Sequence, residues 1–231
     1  KGADVVISVD ASDEDRLGEC VRIFHEAKVR LVIDHHVTNN RFGDYNYIDD
    51  RAAASGEIIY ALIRRLGVEL DREMAQALYI AISTDTGGLR YSSTSPRTLR
   101  VMADLTEQGL DVAEINRALY ETRSKESLLA EGMTLETLHM YGDGKIAVMT
   151  LTLDALGKSG AAEEECDWFV NLARSVQGVE AAVLLKQRGA REIKVSLRSN
   201  RYVDVASLAQ ELGGGGHIRA AGCTLYETAE S

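Results

Sequence analysis

Short apolar runs alternate with amphipathic stretches along the first half of the chain. Val5-Val6-Ile7-Ser8-Val9 and Arg30-Leu31-Val32-Ile33 are short, rich in β-branched residues and read as strands. Between them the sequence from Ser12 to about Ala27 reads as a helix, with Ser12 as N-cap and acids in its first turn. A strand–helix–strand unit makes its two strands parallel neighbours. Residues 37–54 read as a polar loop. Helices are predicted from about Ser55 to Leu66, stopped by Gly67, and from Asp71, with Met74, Ala75, Leu78 and Ile82 as the apolar face. Another starts at Ser95-Pro96 with Pro at N1 and stops at Gly109, and Asp111 with Glu114 resembles a capping box for one more.

The rhythm changes near residue 122. Residues 124–140 read as a mostly polar connecting helix. A strand (Lys145 to Leu153), a helix (Glu163 to Val176) and two strands (Val179 to Lys186, Glu192 to Arg198) follow, then a helix (Val203 to Leu212) and a last strand (Ala221 to Tyr226). The fold class is α/β: a parallel-sheet domain over 1–122, a linker helix over 123–142, and a smaller α+β domain over 143–231.

Charge narrows the partners. Twenty-six basic against thirty-six acidic residues give a net charge of −10, which argues against a long nucleic-acid duplex and leaves a small anionic substrate open. No apolar run approaches the ~20 residues that span a membrane. Cys20, Cys166 and Cys223 are scattered and odd in number, which fits a reducing cytosol better than a disulfide framework. The chain opens at Lys1-Gly2-Ala3 without a starting Met and enters a strand directly, as a fragment would.

The candidate chemistry sits at segment ends. Asp34-His35-His36 closes the second strand, and Asp10 follows the first, so the parallel pairing brings them to one sheet edge, where open α/β sheets bind ligands. Asp85, in Ser83-Thr84-Asp85-Thr86-Gly87-Gly88, follows an apolar segment expected to end at the same face. Asp10, His35 and Asp85 form a carboxylate–imidazole–carboxylate set that suits Mn, Fe or Zn better than Ca or Mg. Adjacent residues of an extended segment point opposite ways, so one histidine serves a metal and the other a substrate. Taken singly, Asp10 or Asp85 equally fits a helix cap or a loop. Late in the chain, Gly213-Gly214-Gly215-Gly216-His217 with Arg219 reads as backbone drawn close to a ligand, its N–H groups cradling an anion. Arg198, in Ser196-Leu197-Arg198-Ser199, is placed to fork onto a phosphate, or to sit exposed at its strand end. His25, His139 and Trp168 read as structural.

These motifs, in this order and spacing, resemble the DHH phosphoesterases that carry a C-terminal DHHA1 domain, and within them the oligoribonuclease/pAp-phosphatase (nanoRNase) branch. The resemblance covers nearly the whole chain. It implies two Mn²⁺ ions, with Asp10 bridging them and His35 and Asp85 holding one. It makes His36, with Asp34, the catalytic pair at the substrate phosphate. Arg198, Gly214, Gly215, Gly216, His217 and Arg219 would hold the nucleotide end, in a small domain that closes over the cleft. The implied chemistry is two-metal hydrolysis, in which water attacks phosphorus in line while both cations absorb the developing charge. The family's first motif, a His and two Asp at an upstream strand end, is absent, so these residues alone are expected to bind metal weakly and to be a poor enzyme.

The expected function is therefore metal-dependent hydrolysis of short RNA, pAp or linear dinucleotides, in a cytoplasmic homodimer. Cyclic-dinucleotide phosphodiesterase and polyphosphatase are the alternatives within the family. A non-catalytic nucleotide sensor is the alternative outside it.

Overall fold

The computed structural model describes residues 3–226. The opening Lys1-Gly2 of the reading above, and the stretch 227–231 of its last domain, lie outside the described residues. The chain divides into two compact units after Thr122.

In the first unit β1 (Val5–Val9) ends at Asp10, and the chain returns through a 3₁₀ turn (Glu14–Cys20) and α1 (Val21–Glu26) to β2 (Val29–Asp34). β1 and β2 pair in parallel, Val9 opposite Ile33, as the pattern predicts. The cap differs. Asp13, not Ser12, accepts from Arg16 N–H, because the Ser12 hydroxyl donates to the Asp13 carboxylate at 2.8 Å. Gly18, at φ +52°, kinks the 3₁₀ segment from within.

The expected loop over 37–54 contains β3 (Tyr45–Ile48), a third parallel strand on the far side of β2, with Asp34 opposite Ile48. Its side chains alternate, Tyr45 and Tyr47 being exposed. Three helices follow: α2 (Ser55–Arg65), α3 (Arg72–Asp85) and α4 (Pro96–Thr106). On α3 the apolar stripe is Ala75, Leu78, Tyr79 and Ile82, at i, i+3, i+4 and i+7, and Met74 faces solvent instead. Ser95 caps α4 in a capping box with Thr98. α5 (Val112–Asn116) starts at Asp111, which accepts from Glu114 N–H.

The second unit begins with α6 (Lys125–Leu135), the expected connector. It is shorter than that expectation and packs on this unit's core, with Ser127, Ala130 and Thr134 buried. The Thr134 hydroxyl reaches the Ala130 carbonyl at 2.7 Å, so a polar-looking stripe is an internal one. Then come β4 (His139–Tyr141), β5 (Ile146–Leu151), α7 (Leu153–Ser159), a 3₁₀ turn (Glu163–Phe169), α8 (Val170–Arg174), β6 (Ala181–Gly189), β7 (Glu192–Ser199), α9 (Val205–Glu211), β8 (Gly215–His217) and β9 (Ala220–Leu225). The sheet order is β4-β5-β6-β7-β9-β8, with β5 and β6 parallel and the other pairs antiparallel.

The four glycines have a local cause. A Cβ on Gly214 would stand 2.1 Å from the Gly222 carbonyl, and one on Gly216, at φ +143°, 2.5 Å from that of Ala220. The close approach is therefore to β9 of the same chain, and part of the expected loop is strand.

Glu180, 5% exposed, holds the chain after β7. Its Oε1 accepts the N–H groups of Arg201, Tyr202 and Val203 at 2.6–3.0 Å. Burial pushes this carboxyl up, but the three donors outweigh it and hold it below the usual carboxylate range. A depressed native pKa contributes stability that is present at neutral pH and lost as pH falls through that range. Glu180→Gln is expected to cost about 2 kcal/mol at pH 7, and the gap from wild type should close below about pH 4. Urea melts across pH 3–7 check this.

Candidate active site

The end of β2 is built around Asp34, whose side chain has no exposed surface. Its Oδ1 accepts from the His35 N–H (2.8 Å) and the His36 Nδ1 (2.6 Å), and its Oδ2 from Asn39 Nδ2 (2.6 Å). Burial raises this carboxyl, and the hydrogen bonds from His36, Asn39 and the His35 amide overcome it, so its pKa lies below the ordinary value. Asp34 remains the anion that fixes the two histidines. The Nδ1 hydrogen bond from His36 to Asp34 fixes the orientation of that ring.

His35 is fixed from the other side. A carbonyl oxygen only accepts, so Nδ1, 3.3 Å from Ala52 O, carries the proton. Nε2 then faces Asp10 Oδ1 and Asp85 Oδ2, each at 3.5 Å. A nitrogen lone pair held against two carboxylates needs something positive there, either a proton or a cation. An imidazole that gives its second N–H to a backbone carbonyl is the usual arrangement of a metal ligand. Ligand atoms of Asp10, Asp34, His35 and His36 all lie within 4.8 Å of one another, a set whose chemistry fits a divalent metal. Asp85 is outside that cluster and approaches it through His35 Nε2.

Asp10 has φ +63°, a conformation Asp tolerates better than most residues, and Ser55 Oγ donates to its Oδ1 at 2.9 Å. Asp85 closes the last turn of α3. Burial, and then the Asp10 carboxylate beside it, push its pKa up. The expected set Asp10, Asp34, His35, His36 and Asp85 is thus together in the first unit. Ser55 and Ala52 lie outside the sequence reading because they reach the site across 45 and 17 residues. Asn39 is only five residues past Asp34, but it falls in a stretch that reads as a polar loop with no period to single it out.

The second expected set lies in the second unit and is divided. Arg198, Gly213 and Gly214 line an open cavity of about 660 Å³ together with Ser196, Lys194 and Arg188. Lys194, Ser196 and Arg198 alternate along β7, a period-2 signal that picks out Lys194 from sequence. Gly215 and Gly216 are paired with β9 instead, and His217 closes β8 on the exposed side. Arg219 directs Nη1 to the Val203 carbonyl (2.8 Å) and the Ser199 hydroxyl (3.4 Å), a structural engagement. Elsewhere His25 meets Glu14, and His139 meets the Thr137 carbonyl.

Fold and site together define a two-unit α/β protein with an Asp-His-His centre at the C-terminal ends of parallel strands. The family pattern "DHH family, N-terminal domain" matches residues 3–82, and "DHHA1 domain" matches residues 143–231. The chain belongs to the DHH family and carries a DHHA1 domain. It is 39% identical to the bifunctional oligoribonuclease and PAP phosphatase NrnA of Thermus thermophilus, over 84% of this chain and 57% of that protein. To the protein of the same name in Bacillus subtilis it is 28% identical, over 98% of this chain and 72% of that one. The crystal structure of an exopolyphosphatase-related protein from Bacteroides fragilis superposes with a TM-score of 0.92 at 30% identity, covering 99% of this chain and 68% of that one. This chain therefore spans between about half and three quarters of the length of these relatives.

Proposed function

We propose that this protein is a Mn²⁺-dependent phosphohydrolase acting on short oligoribonucleotides and on 3′-phosphoadenosine 5′-phosphate (pAp). The observation that carries the reading is His35, tied by Nδ1 to Ala52 and facing Asp10 and Asp85 through Nε2. Those three residues would hold the metal. When bound, such an ion lowers the pKa of a water and offsets charge on the phosphoryl oxygens. The chain's own residues do the rest. Ser55 fixes Asp10, and Asp34 fixes the His36 tautomer, so that Nε2 meets a phosphate or leaving oxygen. Arg198 offers the cationic group for a nucleotide phosphate in this cavity, beside Lys194, which is paired with the Asp167 carboxylate at 3.0 Å. The Gly213 and Gly214 N–H groups are spent on the Gln210 and Ala209 carbonyls, so the glycines would contribute close backbone approach and not donors. The relatives named as oligoribonuclease and PAP phosphatase support this substrate class. Free Cys20, Cys166 and Cys223 agree with a cytoplasmic setting, and a homodimer rests on the family resemblance alone.

One second reading has an observation behind it. The Bacteroides fragilis relative is described as exopolyphosphatase-related, which favours polyphosphate as substrate. The test is hydrolysis of pAp, a labelled RNA dinucleotide and polyphosphate with added Mn²⁺, before and after EDTA. Turnover of either nucleotide, abolished by EDTA and restored by Mn²⁺, is expected, and slow for these residues alone, which lack the family's first metal-binding motif. Turnover of polyphosphate alone would replace the nucleotide reading, and nucleotide binding without turnover would turn it into a sensor.

A further inference from the structure

The segment from Asp49 to Glu57 carries both groups that orient the centre. Its Ala52 carbonyl accepts from His35 Nδ1, and its Ser55 hydroxyl donates to Asp10. The same segment is tied to the end of β2, since Asp49 N–H donates to the Asp34 carbonyl (3.0 Å) and Ala52 N–H to that of Asp49 (3.1 Å). Both of its ends are anionic. Asp49 is 12% exposed, and Glu57, in the first turn of α2, is fully buried with neither carboxylate oxygen hydrogen-bonded.

One side chain from α4 meets both. Arg97 places Nη1 2.9 Å from Asp49 Oδ2 and Nε 3.3 Å from Glu57 Oε2. A planar guanidinium spans two carboxylates in fixed directions, which an ammonium does not. We infer that Arg97 is a positioning residue for the centre. By clamping the two ends of the 49–57 segment, it sets where the Ala52 carbonyl and the Ser55 hydroxyl stand, and so the tautomer of His35 and the orientation of Asp10. The inference rests on the metal reading of this site only for its consequence, tighter metal binding. Its structural content, the fixed His35 ring, stands without a metal.

The obvious variant Arg97→Ala leaves the Glu57 charge buried without compensation and risks unfolding. The informative variants are therefore the pair Arg97→Met with Glu57→Gln, which removes both charges, and Asp49→Ala, which cuts one arm and keeps the Arg97–Glu57 pair. Two readouts are taken on variants whose Tm matches wild type: the ¹⁵N spectrum of the His35 ring without metal, and Mn²⁺ affinity by calorimetry. The expected result is a His35 ring that exchanges between tautomers, with a Mn²⁺ Kd raised about 10–100-fold, the range seen when groups supporting a metal ligand are lost. Arg97→Lys is expected to recover little of either. A single Nδ1–H tautomer in both variants, with Kd within twofold of wild type, would overturn the inference. If wild type itself binds no Mn²⁺, the metal reading fails, and the ring spectrum still decides the role of Arg97.

Discussion

Replacing His35 by alanine is expected to lower Mn²⁺-supported hydrolysis of pAp and dinucleotides at least about a hundredfold. The imidazole stands between two carboxylates, with Nε2 3.5 Å from both Asp10 Oδ1 and Asp85 Oδ2. Without it the two acids face each other across a gap with one donor fewer, and a cation there loses its nitrogen ligand. The fold should be little affected. The Nδ1 contact to Ala52 O is long, at 3.3 Å, and the β2 ladder is made by backbone groups and does not depend on the side chain. Initial rates at saturating Mn²⁺, with Tm and Mn²⁺ calorimetry alongside, separate the cases. A variant that retains wild-type rate and affinity would remove His35 from the metal set and with it the observation on which the proposed function stands.

The parts of this site that sequence reveals are those with a local signature. A β-branched run that stops at Asp34-His35-His36 marks a strand end, and the return through a helix makes its neighbour parallel, so Asp10 joins the same edge. Asp85 is readable for a related reason, because α3 has a clean apolar stripe that ends where the polar residues begin. What stays hidden has no local period. β3 is four residues long with Asn46 inside it, and it exists because β2 offers an edge. α6 looks like a polar connector because its buried stripe includes Ser127 and Thr134, which satisfy their hydroxyls within the chain. The glycines at 213–216 read as a ligand cradle, and two of them are required by β9 instead, which only the antiparallel pairing shows. Ser55 and Ala52 reach the centre, and Arg97 reaches the segment that carries them, across distances in sequence that no motif spans.

Asp34→Asn tests the most constrained atom group of the site, since the exchange keeps shape and removes charge. Both oxygens of Asp34 face donors, the His35 amide and His36 on Oδ1 and Asn39 on Oδ2. An amide must turn its NH₂ toward one of them. Turned to Oδ1, it opposes two N–H groups. Turned to Oδ2, it opposes Asn39 Nδ2, and Asn39 cannot flip without loss, because Nδ2 also donates to Ala11 O (2.9 Å) and Oδ1 accepts from Arg41 N–H (2.7 Å). Every arrangement leaves like groups facing each other, donor against donor at Asp34 or, with Asn39 flipped, acceptor against acceptor at Ala11 O, so the variant should lose roughly 3 kcal/mol of stability. Hydrolysis should fall about a hundredfold or more, because the anion that fixes the His36 tautomer is gone. The double variant Asp34→Asn with Asn39→Asp separates the two effects. It restores an acceptor opposite the new NH₂ and keeps one for Arg41 N–H, at the loss of the donor to Ala11 O, so part of the stability should return. Activity should not, since the negative charge now sits away from His36. Recovery of rate together with stability would show that Asp34 acts only by holding the loop together, and that His36 needs no anion behind it.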